Sequence, residues 1–162
     1  MKRAIRTLFV GAAAGFVAGQ VMDKATTWFY DRQSDGSKQR EQELLPEGAP
    51  VASARKLASW IGAEPTEDQA GQLAGALHRS LSQLYGVVAA SMTRRGVNPL
   101  GAGLATGAGG FLLVDELANS LFFTPPPQAY PAESHLRGVV GHLTFGATLG
   151  VLLAVARRLR LV

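Results

Sequence analysis

Three stretches of this chain place proton- and metal-binding residues inside otherwise apolar runs. His78, the pair Asp115 and Glu116, and His142 each interrupt such a run. On a helix, Asn119 lies one turn from Asp115 and Tyr85 two turns from His78. His135 and His142 are also two turns apart, with Gly138 and Val139 between them on the same face. Histidine and carboxylate ligands suit zinc or manganese. The same residue types build proton relays. No H-E-x-x-H or comparable metal signature accompanies them, so no metal and no cofactor is assigned. The leading reading of His78, Tyr85, Asp115, Glu116, Asn119 and His142 is therefore a hydrogen-bonded clasp that fixes helix register. A buried site for a proton or divalent metal is the alternative. Successive helix positions differ by about 100°, so only one of the two adjacent acids points fully inward. Asp115 shares a face with Leu112 and Asn119 and is the expected inward acid; Glu116 then leans toward a neighbouring helix or the outer surface.

The elements that must position these residues are four glycine-rich apolar stretches, at about 4–28, 69–92, 98–123 and 132–158. They hold fifteen of the nineteen glycines. Residues 7–22 carry no charge, and the stretch extended to Trp28 is long enough to cross ~30 Å of hydrocarbon at ~1.5 Å per residue. A cleaved signal peptide is the rival reading of this stretch, with Lys2-Arg3 as its basic region and Val17-Ala18-Gly19 as a small-residue cleavage site. The second stretch is the least apolar, and its sequence fits a buried helix as well as a membrane helix. Thr66 can cap it, with Glu67 and Asp68 in its first turn. Nineteen uncharged residues separate Arg95 from Asp115, and 138–156 is again free of formal charge. Counted from the outer ends of these helices, His78, Asp115, Glu116 and His142 all lie roughly 10–15 Å down, in one layer.

Basic residues sit at alternate ends of the four stretches. Lys2, Arg3, Arg6, Arg94, Arg95, Arg157, Arg158 and Arg160 occupy the two chain ends and the 93–97 loop, with no acid among them. Residues 23–68 hold six Lys or Arg and nine Asp or Glu, a net charge of −3, and the 124–131 connector has none. The positive-inside rule then places both termini and the 93–97 loop in the cytoplasm, with the 29–68 insert and the proline connector outside. The expected fold is all-α: one integral membrane domain over 1–162, built as a four-transmembrane-helix bundle. Its polar extracytoplasmic insert carries a short amphipathic helix at 51–62. That helix suits a membrane interface through Arg55, Lys56 and Trp60, or equally caps the bundle.

Glycines spaced by four mark the expected packing faces: Gly11, Gly15 and Gly19 in the first stretch, Gly71 and Gly75 in the second, Gly103 and Gly107 in the third, Gly146 and Gly150 in the fourth. Such grooves let backbones approach, so that dispersion replaces the missing hydrophobic drive between membrane helices. Packing within the chain is the expected use of these faces, and self-association is the alternative.

The remaining composition excludes more than it assigns. Charged residues make up 17% of the 162, and there is no cysteine for a disulfide or a nucleophile. The pI near 9.9 reflects topology signals rather than a phosphate-binding face. No nucleic-acid partner is expected. No Walker loop, nucleotide-binding glycine pattern or G-x-S-x-G elbow is present, so no enzymatic activity is expected.

One set of residues carries a family resemblance. Asp115-Glu116-xx-Asn119, then Thr124-Pro125-Pro126-Pro127, Tyr130-Pro131, His135-Leu136-Arg137-Gly138 and Gly141-His142-Leu143 resemble the YagU-like family of small bacterial inner-membrane proteins. The resemblance covers about two-thirds of the chain and has no counterpart for 29–56. It implies a multi-pass protein of the bacterial inner membrane and no catalytic residues. The function expected is structural or accessory, with the lipid bilayer, a second copy or a larger membrane complex as partner. A small transporter or proton- or ion-conducting protein using the histidine–carboxylate layer is the alternative.

Overall fold

The computed structural model describes residues 2–162 and is almost entirely helical. α1 spans Lys2–Asp31, α2 Asp35–Leu44, α3 Ala49–Trp60 and α4 Glu67–Arg94. α5 spans Pro99–Phe122 and α6 Ala132–Arg158. Local chemistry sets several of these boundaries. At the start of α4, Thr66 Oγ1 accepts from the Gln69 amide and Gln69 Oε1 accepts from the Thr66 amide, a reciprocal capping box. Asn98 Oδ1 accepts from the amides of Leu100 and Gly101, and Pro99 takes the first helical position of α5.

α1, α4, α5 and α6 pack as an antiparallel ring in chain order, each against its sequence neighbour, and α6 closes the ring against α1. α1, α5 and α6 are long and apolar enough to cross a membrane. α4 is as long but less apolar.

Side-chain size is sorted in the opposite sense to a soluble bundle. The core is mostly small, with Ala14, Ala18, Ala89, Ala90 and Ala102 around Phe145, Leu149 and Leu153. Large apolar groups face outward: Phe9 is 73% exposed and Leu113 63%. In water such a surface would drive aggregation; in lipid it is the solvated surface.

The insert differs from its sequence reading. Residues 35–44, read from the sequence only as part of the polar insert, form α2, because Ser34 caps it through the Ser37 amide and Asp35 sits in its first turn. α1 continues to Asp31 instead of stopping at Trp28. The amphipathic helix is α3, which starts at Ala49 rather than 51 because Gly48 turns the chain at φ 77° and Pro50 fits the first turn. α3 lies along α4, burying Ala52, Ala54 and Ala58.

A π-helical segment, Phe111–Ala118, interrupts α5. Nothing in the sequence marked it. It holds both Asp115 and Glu116, and segments of this kind recur at functional positions.

Candidate functional site

The glycine interfaces set the spacing on which the polar groups depend. A Cβ built on Gly11 would lie 2.7 Å from the Gly86 carbonyl oxygen, and one on Gly15 would run into the Ser82 carbonyl. Gly19 faces the Ser82 hydroxyl. On the other side of the bundle, Gly103 and Gly107 meet Gly146 and Gly150, and a Cβ on Gly146 would lie 2.8 Å from the Gly103 carbonyl. The second stretch departs from expectation. Gly71 has nothing within 4 Å of its Cβ position, and Gly75 meets only the Arg79 side chain of its own helix. The face of α4 that meets α1 is instead Ser82, Gly86 and Ala90. That small-residue spacing of four is legible in the sequence, but it mixes three residue types and a search for glycine pairs passes over it.

The polar residues form pairs rather than one cluster. His142 is buried on α6, with Nδ1 3.1 Å from the Gly138 carbonyl oxygen and 3.5 Å from Asp115 Oδ2. Glu116 Oε1 lies 2.7 Å from His135 Nδ1, whose other ring nitrogen is 3.0 Å from the Pro127 carbonyl. His78 Nε2 lies 2.9 Å from Asp23 Oδ1 on α1, at ion-pair distance but off the line of a hydrogen bond. Every histidine of the chain thus has a carboxylate beside it. Asp23 and His135, which complete two of these pairs, were not among the expected site residues.

Glu116 leans toward a neighbouring helix, as expected, while Asp115, the expected inward acid, is the more exposed of the two. Both reach α6. The Asp115 side chain is 39% exposed and that of Glu116 27%. The wider π-helical turn changes the angle between neighbouring residues. The two acids therefore meet histidines seven positions apart, about 10 Å along α6.

Tyr85 and Asn119 do not bond these pairs. The Tyr85 ring sits edge-on to Phe145, centroids 6.4 Å apart, and beside the bare Cα of Gly110. A Cβ at Gly110 would be 3.2 Å from both Tyr85 and His142, so Gly110 makes room for the two rings. Asn119 Oδ1 accepts from Ser53 Oγ at 3.3 Å and ties α3 to α5. Among the described residues no three acid, histidine or cysteine side chains come close enough to share a metal ion.

The densest polar network joins the polar insert to the first turns of α6. Arg137, one turn into α6, binds Glu41 of α2 with both terminal nitrogens, at 2.7 and 3.2 Å, and also donates to Gln33. Gln33 Nε2 donates to Glu41 at 2.7 Å and to Ser37 at 3.1 Å. Ser134 Oγ donates to Glu41 at 2.6 Å. Beside them the Ser34 amide and hydroxyl both donate to the Glu133 carboxylate. Burial alone would raise the Glu41 carboxyl. The hydrogen bonds from Arg137, Ser134 and Gln33, with the Arg137 charge, outweigh it and hold the group below its ordinary value of 4.5. This network pins the insert to α6.

Chemically, the arrangement holds protons and fixes helices; it presents neither a nucleophile with a base nor a closed metal shell. None of the protein-family models, curated proteins or solved structures compared with the chain matches it.

Proposed function

We propose that the chain is a four-span protein of the bacterial inner membrane, with both ends cytoplasmic and α2 and α3 outside. On this reading it is a structural or accessory component, as the YagU-like resemblance implies, and its histidine–carboxylate pairs fix helix register. It works packed with itself or within a larger membrane complex.

One observation carries the choice over conduction. Between the basic ends and the layer that holds the histidine–carboxylate pairs and Arg79, the bundle has no Asp, Glu, Lys, Arg or His. That half is closed by glycine-to-backbone contacts and by the fully buried Leu149 and Leu153, with Phe145 above them. The Thr7 and Thr106 hydroxyls donate to carbonyls of their own helices. An ion or proton chain entering from the outer side meets a close-packed apolar plug.

The test is native size together with flux. The protein purified in mild detergent should run as an oligomer or with other membrane proteins. Vesicles containing it should show no proton or cation leak above empty vesicles. A lone monomer with proton flux abolished by His142→Gln would reverse the choice in favour of a transporter.

A further inference from the structure

Polar and charged residues mark the depth of this bundle when counted from the basic ends of α1, α4 and α6 and from the first residue of α5. From Arg6 to Asp23 on α1 is seventeen positions, about 25 Å. From Arg94 back to Arg79 on α4 is fifteen, about 22 Å. From Pro99 to Asp115 on α5 is sixteen, about 24 Å, although the π segment shortens the rise slightly. From Arg157 back to His142 on α6 is fifteen, about 22 Å. Four helices of different sequence give the same thickness. The polar layer therefore stands at the outer edge of a hydrocarbon slab of about 24 Å, and the helices continue past it into a headpiece crowned by α2 and α3.

Arg79 lies on this edge and is exposed. Its neighbour His78 has Asp23, but none of the ion pairs among the described residues includes Arg79. The guanidinium folds outward over Gly75, with one nitrogen 3.2 Å from the position of a Gly75 Cβ. It borders a groove of about 620 Å³ on α4, lined also by Gln69, Gly71, Gln72 and Ala76. The lining contains no acid, and at Gly71 the floor is bare backbone.

We propose that this groove holds the phosphate of an anionic phospholipid of the outer leaflet. Three features converge on that occupant. The depth is that of headgroup phosphates. The one charge is a planar fork of N–H donors, which matches phosphate oxygens in pairs. The Gln72 amide adds a neutral donor, and the glycines leave room for a headgroup against the backbone. A cationic groove at the membrane surface without its own counter-ion selects anionic over zwitterionic lipid.

The proposal rests on the membrane reading, and the experiment separates the two. Full-length protein is offered equal phosphatidylglycerol and phosphatidylcholine and examined by native mass spectrometry, with partition into vesicles measured in parallel. The wild type should retain phosphatidylglycerol about tenfold over phosphatidylcholine. Arg79→Gln should remove the preference and Arg79→Lys should keep part of it. Arg32→Ala, which deletes an outer cation stacked on Trp28, should leave it unchanged. Helix content by circular dichroism checks that each variant is folded, and Arg79→Ala serves if Arg79→Gln is not. Equal retention by wild type and Arg79→Gln overturns the site. So does a dimer that Arg79→Gln dissociates without altering lipid retention, because a second copy would then occupy the groove. Failure to partition into vesicles overturns the membrane reading itself.

Discussion

The Glu41 carboxylate and the Arg137 guanidinium meet at 2.7 Å across 96 residues of chain, and this pair joins α2 to the first turns of α6. Both are well shielded, with side chains 15% and 24% exposed. That is why the pair matters more than a surface ion pair of the same length.

A pH dependence follows from it. Glu41 is held below its ordinary value, so the folded state binds fewer protons there than the unfolded state. The pair's contribution is full above the ordinary value of 4.5 and is lost as pH falls through the lower folded-state value. Glu41→Gln should destabilise the protein by about 1–3 kcal/mol at neutral pH. The gap between wild type and variant should stay open above 4.5 and narrow as pH falls through the lowered folded-state value. Thermal unfolding in detergent at several pH values checks this, and a gap constant with pH would remove Glu41 as its source.

The glycine contacts predict opposite outcomes for one substitution at two sites. Gly15→Ala drives a methyl into the Ser82 carbonyl and should cost about 1–3 kcal/mol. Gly71→Ala meets open space on an exposed helix face and should stabilise α4 by about 0.5–1 kcal/mol. Paired melting curves decide it. Equal effects of the two changes would mean that α1 and α4 do not cross at Gly15.

How much of this was legible in the sequence depends on the range of the interaction. Uncharged runs and Thr66 as a cap are local signals, and they located the long helices within a few residues. The faces of α1, α5 and α6 followed from single-type glycine spacing. The face of α4 did not, since Ser82, Gly86 and Ala90 do the same job with three residue types. The π segment left no mark in the sequence. The Gln33–Glu41–Arg137 network was equally hidden. Arg137 lies about a hundred positions from Gln33 and Glu41, and each residue alone reads as a solvated polar residue. The pairing of Asp23 with His78 depends on where α1 and α4 cross, which spacing within one helix does not supply.

The π segment makes a prediction of its own. Glu116 and His135 are 2.7 Å apart and should be strongly coupled; Asp115 and His142, at 3.5 Å, should be coupled more weakly. Double-mutant cycles with Glu116→Gln and His135→Gln, and with Asp115→Asn and His142→Gln, should give interaction energies of about 0.5–3 kcal/mol, the first larger. Deletion of Leu113, an exposed residue within the π segment, shifts the register of both acids. It should abolish at least one coupling. Two unchanged couplings in the deletion variant would show that the π turn does not position these acids.

Topology is the most direct test of the whole reading, and the chain suits it because it has no native cysteine. The outer side should be probed at Gln42 of α2, which is exposed, and not at nearby Ser37, which is buried against Gln33. Ala4 and Leu161, both exposed near the chain ends, probe the inner side. Eight basic residues and no acid lie at the two ends and the 93–97 loop, and the 23–68 stretch is net −3, so the positive-inside rule predicts the ends inside and the insert outside. In intact cells, an impermeant thiol reagent should therefore label Gln42→Cys and leave Ala4→Cys and Leu161→Cys untouched until the membrane is opened. Three spans instead of four would put one end outside, because an odd number of crossings separates the termini. Labelling at exactly one of Ala4→Cys and Leu161→Cys in intact cells would thus remove α4 from the membrane and leave it as a helix packed on a three-span core.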